Sequence, residues 1–423
     1  MPPSPFTRRI ELVTIGDELL LGFTIDTNAA HLARELSAIG VQIVRRATVG
    51  DVAEDIVDGV REALDRSGAV ITTGGLGPTS DDLTKPAIAS LFGREMRLDE
   101  DHVRWMEDRW RTRFGREMPA ANRQQAMLPQ GAVKLENRHG SAPGIWLEDE
   151  HGRWVAMLPG VPREMRGMLA DALLPRLRER LSGGTGSVVR SLTLRTTGIA
   201  ESMLADRIDA MEGGPLGASL AYLPSATGVD LRITVRDLSS DDADDALGRA
   251  AGRLHARLGD WIYGEQDADL AAIVLEMCRR RKLTIAVAES CTGGLLGARL
   301  TAVPGSSDIV MGGVIAYHND VKHALLGVDS AVLREHGAVS EAVALQMATG
   351  ARRAVHASVG LAITGIAGPT GGTPEKPVGT VWVAVDVEGV AEARLFKLIG
   401  DRDEIRQRAA QWAMEMLRKR QLP

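Results

Sequence analysis

Three times in this chain an apolar run breaks directly into a glycine-rich polar turn, and that repeated punctuation limits the fold more than any other feature. The strings are Thr72-Thr73-Gly74-Gly75-Leu76-Gly77-Pro78-Thr79, Ala288-Glu289-Ser290-Cys291-Thr292-Gly293-Gly294 and Ala362-Ile363-Thr364-Gly365-Ile366-Ala367-Gly368-Pro369. A buried strand that exits into glycines before a helical rhythm is the first half of a βα unit. Such units build parallel sheets with ligands at the carboxyl ends of their strands. The neighbouring sequence agrees. Ile10–Ile15 is a short apolar strand, and Thr27–Ile39 repeats apolar residues at helical spacing through Ala30, Leu32, Leu36 and Ile39, with Gly40 placed to end it. Strands at Val41–Val44 and Ala69–Thr72 flank a helix over Ala53–Arg66.

A chain of 423 residues exceeds one ordinary core, and its character shifts twice. Ser182–Ser187 reads as flexible punctuation. It is followed by strand-like Val188–Arg195, helix-like Ala200–Met211, strand-like Gly228–Val235 and a charged helix over Ser240–Leu258. A second linker is read at Tyr263–Asp267, before an amphipathic helix at Asp269–Arg280, a strand at Leu283–Val287 and, much later, a final helix at Glu404–Lys419. The expected architecture is α/β: two α/β domains with mainly parallel sheets, residues 8–175 and 265–423, joined by a small α+β module at 176–264.

Composition removes several function classes. The formal net charge of −6 gives no footprint for DNA or an anionic membrane, and aromatic residues at 4% are too few for a base-stacking platform. Nucleic acid is not an expected partner. No apolar stretch approaches the roughly 20 residues that span a bilayer, and no apolar segment follows the two arginines of Met1–Arg9 as in a secretory leader. Two cysteines without a CxxC pattern fit a reducing compartment, so a cytoplasmic location is expected. The histidines show no metal-ligand spacing.

In the C-terminal segment, Ser290 at a strand end can act as a nucleophile whose oxyanion meets backbone amides of the turn Cys291, Thr292, Gly293 and Gly294. The new helix is expected to offer free N–H groups there; alternatively Ser290 or Thr292 is only a helix cap. Cys291 is a second candidate nucleophile. Tyr317, Asn319 and Lys322 form another polar cluster, with Asn319 a plausible cap and Lys322 a candidate base for the serine if partly desolvated. Thr364 and the amides around Gly365 can hold an amide oxygen or a phosphate. In the N-terminal segment, Thr73, Gly74, Gly75, Leu76 and Gly77 form a phosphate cradle. Asp81 and Asp82 beside it suit a hard divalent cation, or Asp82 caps the next helix. Asp17, Glu18 and Asn28 lie on another strand exit facing the same crevice.

AESCTGG, the Tyr317–Lys322 string and TGIAGP together resemble the nicotinamide-nucleotide amidohydrolase domain of the CinA family, over about 269–418. The resemblance implies hydrolysis of nicotinamide mononucleotide to nicotinic acid mononucleotide and ammonia, and with no metal-ligand spacing among the histidines no cofactor is expected for it. Ser290 would be the nucleophile, Lys322 its base and Tyr317 nearby, with Thr364 and Gly365 on the substrate and Arg402 and Arg406 toward its phosphate. Residues 9–174 resemble the family's molybdopterin-binding-like domain, which implies metal-dependent cleavage of ADP-ribose to AMP and ribose 5-phosphate. The middle segment, through Thr197–Ser202 and Ala221–Arg232, resembles the family's KH-like connector, and the whole implies a homodimer. Two other roles stay open: an adapter that binds recombination partners with relic pockets, and an N-terminal nucleotidyl-transfer or pterin-binding module.

Overall fold

The computed structural model describes residues 8–181, 188–210 and 217–420. The punctuation read at Ser182–Ser187, and Met211 at the end of the helix read from Ala200, lie outside the described residues. By packing, the chain forms two compact units, one of residues up to 190 with 235–245, the other of 191–234 with residues from 246 onward.

The first unit is built on a six-stranded sheet in the order Gln42–Val49, Arg9–Ile15, Ala69–Thr73, Trp154–Leu158, Gly144–Glu148 and Val133–Leu135. The first four strands are parallel and the last two antiparallel. Strand side chains alternate between two apolar layers, as a period of two requires. Ile10, Leu12 and Ile71 pack with Leu32, Leu36, Met165 and Met168 on one face. Val13, Ile15 and Val70 pack with Ile56, Val60 and Ile88 on the other. Helices therefore cover both faces, which explains why the strands read as unbroken apolar runs.

The middle segment forms a four-stranded sheet in the order Ser219–Ser225, Gly228–Leu238, Val188–Thr196 and Ile262–Glu265. The C-terminal sheet has five strands, ordered Val310–Ile315, Ile285–Glu289, Val359–Gly365, Thr380–Val387 and Val390–Lys397. Its first three are parallel, and the last two return antiparallel. The last pair is joined locally: Glu388 and Gly389 both take positive φ, at 50° and 95°, a two-residue turn whose twist joins adjacent antiparallel strands. On one face Ala286, Ala288, Ala362 and Ala384 meet the helix Glu341–Ala354. Their small size lets that helix lie close. A Cβ on Gly360 would stand 2.0 Å from the Ala348 carbonyl oxygen.

Both α/β sheets share a winding reversal. The first strand of each lies between the second and third, so the chain crosses to one side and then returns past its starting strand to the other. At such a reversal the connections diverge and leave a crevice at the carboxyl ends of the strands. All three glycine-rich turns fall there.

Candidate functional site

Register sets the C-terminal site. Glu289 lies level with Ile315 on one side and Ile363 on the other, so Ser290, Ala316 and Thr364 leave the sheet at one edge. Two hydrogen bonds extend the ladder beyond the strands: Ser290 N–H donates to Ile363 O at 2.9 Å, and Ala316 N–H donates to Glu289 O at 2.7 Å. The helix Asn319–Leu326 then carries Lys322 inward. Its ammonium Nζ donates to Ser290 Oγ at 3.2 Å, to Ala316 O at 2.7 Å and to Tyr317 O at 3.4 Å. Lys322 is 1% exposed and Ser290 9%. Burial holds the lysine's pKa below its ordinary value, because desolvation penalises the charged form. Among the described residues it has no carboxylate ion-pair partner.

The turn differs from the sequence expectation in one respect. The N–H groups opening the helix Leu295–Thr301 are not free. The carboxylate of Glu289, 1% exposed, accepts from Gly294 N–H at 3.1 Å, Leu296 N–H at 3.0 Å and Gly297 N–H at 2.7 Å. The helix dipole is answered by the protein's own anion. Sequence reading passed over Glu289, although a glutamate closing an apolar strand just before a glycine turn was the available signal. The open donors lie upstream: neither Cys291 N–H nor Thr292 N–H donates to another residue among those described. Gly293 and Gly294 take φ of 59° and 96°, which the turn needs and other residues rarely supply.

Cys291 does not suit the nucleophile's part. It is buried, and burial pushes its thiol up to about 12, so thiolate is scarce at neutral pH. Asn319 is not the helix cap. His318 fills that place, its Nδ1 accepting from Asp320 N–H at 3.3 Å, while Asn319 stands exposed on the first turn. Thr364 is fully buried and donates its hydroxyl to Ala338 O at 2.8 Å. Gly365 stays within the strand ladder opposite Val381, where a Cβ would meet that side chain at 2.7 Å. The next amide, of Ile366, is spent on Thr380 O.

The final helix, Arg402–Lys419, starts with a capping box between Asp401 and Glu404. That start aims two guanidiniums at the rim. Arg402 donates to Gly368 O at 2.6 Å and to the exposed Tyr317 hydroxyl at 3.0 Å. Arg406 donates to Thr292 O at 2.9 Å. The Thr292 hydroxyl is buried without a hydrogen-bond partner among the described residues. A buried serine–lysine pair, open amides and a cationic rim suit acyl transfer on an anionic substrate.

The N-terminal crevice encloses a cavity of about 400 Å³. Its glycines are imposed by close approach: a Cβ on Gly74 would stand 2.1 Å from Ile15 O, and one on Gly75 2.1 Å from Thr84 Oγ1. Thr73 donates to Pro159 O at 2.9 Å and accepts from Asn28 Nδ2 at 3.2 Å, which also donates to Gly160 O at 2.7 Å. These two side chains clasp the neighbouring loop. Leu76 lines the cavity and is buried in the core. Asp17 exchanges reciprocal backbone contacts with Asp51, its N–H donating to Asp51 Oδ2 at 2.9 Å and its Oδ1 accepting from Asp51 N–H at 3.2 Å.

Asp81 and Asp82, the expected metal pair, both line the cavity but are bonded differently. Asp82 accepts from Gly77 N–H at 2.7 Å through one oxygen, and from Thr79 N–H and hydroxyl at 2.8 and 2.5 Å through the other. It holds the loop's shape. Asp81 remains exposed at the cavity, with Glu18, Asp51 and Glu164 on the same lining; sequence reading missed the last two. Among the described residues no three or more His, Cys, Asp or Glu side chains converge as a ready cage. The all-oxygen donor set still fits a hard cation such as Mg²⁺, which proteins hold through one or two carboxylates and complete with substrate phosphates.

Among the described residues no helix is long and apolar enough to cross a membrane. Three family models match the chain: "Probable molybdopterin binding domain" over residues 11–179, "Damage-inducible protein CinA KH domain" over 191–264 and "CinA C-terminal domain" over 267–421. A CinA-like protein of Gemmatimonas aurantiaca is 64% identical over 410 residues, covering 97% of this chain and 96% of its own. One from Salinibacter ruber is 45% identical, covering 97% and 99%. Among solved structures, a competence/damage inducible protein from Agrobacterium tumefaciens is 42% identical over 35% of this chain and 91% of its own, with a TM-score of 0.35. With near-full-length relatives at these identities and successive domain matches along its length, the chain belongs to the CinA family.

Proposed function

We propose that the C-terminal site hydrolyses the carboxamide of nicotinamide mononucleotide, and the observation that carries this reading is the buried Lys322 Nζ at 3.2 Å from Ser290 Oγ. A lysine whose burial favours its neutral form can take the serine's proton. Ser290 Oγ attacks the carboxamide carbon, and the proton passes to Lys322. The oxyanion forms where Cys291 and Thr292 N–H are open to donate. Collapse expels ammonia as Lys322 returns the proton to the leaving nitrogen. Water then attacks the acyl-serine, giving nicotinic acid mononucleotide and free Ser290. The nucleotide's phosphate is assigned to Arg402 and Arg406 at the rim. No step calls on a metal.

The test is ammonia release from nicotinamide mononucleotide by the purified protein, with and without chelator, beside Ser290→Ala. Release that survives chelator and is lost in the variant supports the reading. A folded wild type that releases none overturns it.

A second reading concerns the N-terminal cavity, for which the observation is a glycine cradle beside open carboxylates. We propose hydrolysis of a nucleoside diphosphate ester such as ADP-ribose. Asp81, with Glu18 or Asp51, would hold the divalent cation, which supplies charge neutralisation for the phosphoryl oxygens when bound. The cradle amides orient those oxygens, and Asp82 keeps the cradle in shape.

A further inference from the structure

Beside the glycine cradle lies a second cavity of about 370 Å³, and Val161 and Glu164 line both. Their electrostatics are opposite. Five carboxylates and no basic side chain line the cradle cavity: Glu18, Asp51, Asp81, Asp82 and Glu164. The neighbour is lined by Arg109, Arg113 and Arg163, with the rings of Trp110 and Phe114 among them. Its one carboxylate, Glu164, accepts from Asn137 Nδ2 at 2.6 Å.

Along the helix Glu100–Phe114 the arginines divide into two sets. Two of its arginines lie off the cavity, and each pairs with the aspartate three residues before it, Arg104 with Asp101 and Arg111 with Asp108. The two on the cavity side, Arg109 and Arg113, form no ion pair among the described residues; they lie over the Trp105 and Phe114 rings at 5.1 and 5.6 Å. Arg163, from a separate element, spends one N–H on His139 O at 3.2 Å and also has no acid partner among the described residues. Three guanidiniums on one cavity, none of them ion-paired among the described residues, present the planar donor forks that match phosphate oxygens. The Trp110 ring and the half-exposed Phe114 ring beside them suit a flat base.

We propose that this cavity is a phosphate-binding pocket, and that the N-terminal site takes a nucleotide whose phosphate sits on Arg109, Arg113 and Arg163 while the rest of the ligand reaches into the acid-lined cradle. The cradle alone repels anions unless a cation accompanies them. The basic pocket holds one directly, so it anchors the ligand and sets which phosphorylated nucleotides are accepted. The inference rests on the nucleotide reading of the N-terminal site for the ligand's class, but not on hydrolysis.

The experiment is calorimetric titration of the full-length protein in chelator with AMP and with adenosine, in an Arg402→Ala/Arg406→Ala background that removes the other cationic rim. AMP is expected to bind at least tenfold more tightly than adenosine, and less tightly as salt rises. Arg109→Ala/Arg113→Ala should weaken AMP at least tenfold, whereas Arg104→Ala/Arg111→Ala on the same helix should not change it. Equal binding of AMP and adenosine, no AMP binding, or AMP binding indifferent to Arg109 and Arg113 overturns the proposal. The comparison of AMP with adenosine is repeated on the wild-type protein, which needs no folded variant. ADP-ribose hydrolysis is assayed in parallel with a divalent cation. Its absence beside intact AMP binding removes the hydrolytic reading and leaves the pocket standing.

Discussion

At the residue scale the chemistry turns on one short contact and one long burial. Ser290→Ala removes the attacking oxygen, and deamidase activity should fall on the order of 10³-fold or more, as loss of a covalent nucleophile does elsewhere. Cys291→Ala is the companion variant. Because the thiol is held far from ionisation, it should keep activity within about threefold, and a loss as large as that of Ser290→Ala would move the attack to sulfur. Lys322→Met keeps the stem's bulk and removes the base, so kcat should drop by roughly 10²–10⁴-fold. The wild-type pH profile carries the same signature. In the proposed mechanism the active form is neutral Lys322, whose pKa lies below the ordinary lysine value, so kcat/KM should climb with pH and level off before that value. The sign for stability agrees: the unfolded chain keeps that proton to higher pH, so wild-type stability rises with pH between the two pKa values. Lys322→Met should lose that slope, which denaturant titrations at several pH values would show.

At the scale of elements, the turn after Ile285–Glu289 depends on a buried anion. Glu289→Ala would leave the Gly294, Leu296 and Gly297 N–H groups without their acceptor, at a cost of about 1–3 kcal/mol for each unsatisfied group that water cannot reach. Chemical unfolding should report that loss. Glu289→Gln retains one carbonyl acceptor and should fall between the two. Equal stability of Glu289→Ala and the wild type would mean that the turn is held from elsewhere. The strand-to-turn punctuation was legible in the sequence because apolar runs and glycines are local signals. The role of Glu289 was not, since it depends on a strand end and a helix start meeting in space. Asn319 shows the same limit on a smaller scale: Asn is the better cap by propensity, yet the chain enters that helix one residue earlier, at His318. Asp82 was legible as either ligand or loop anchor, and the folded loop assigns both of its oxygens to neighbouring backbone.

For the whole molecule, the two sites belong to different compact units, and neither shares a named residue with the other. Ser290→Ala should therefore abolish ammonia release and leave metal-dependent ADP-ribose cleavage within about twofold, while Asp81→Asn should do the reverse. Paired assays on one preparation check this, and loss of both activities in either variant would show that the sites are coupled. The family was legible in three short strings because glycine and polar residues at strand ends answer to backbone geometry, which a linear string can carry. The α/β class was legible for the same reason, through a period of two meeting a period of 3.6. Partnership was decided only by the tertiary structure. It supplied the burial of Lys322 against Ser290 on which the sequence's candidate base depended, occupied the helix start with Glu289, and left Arg109 and Arg113 without the acids that their helix neighbours enjoy. Those facts depend on which groups lose water together, and desolvation is a property of packed surfaces that sequence order does not contain.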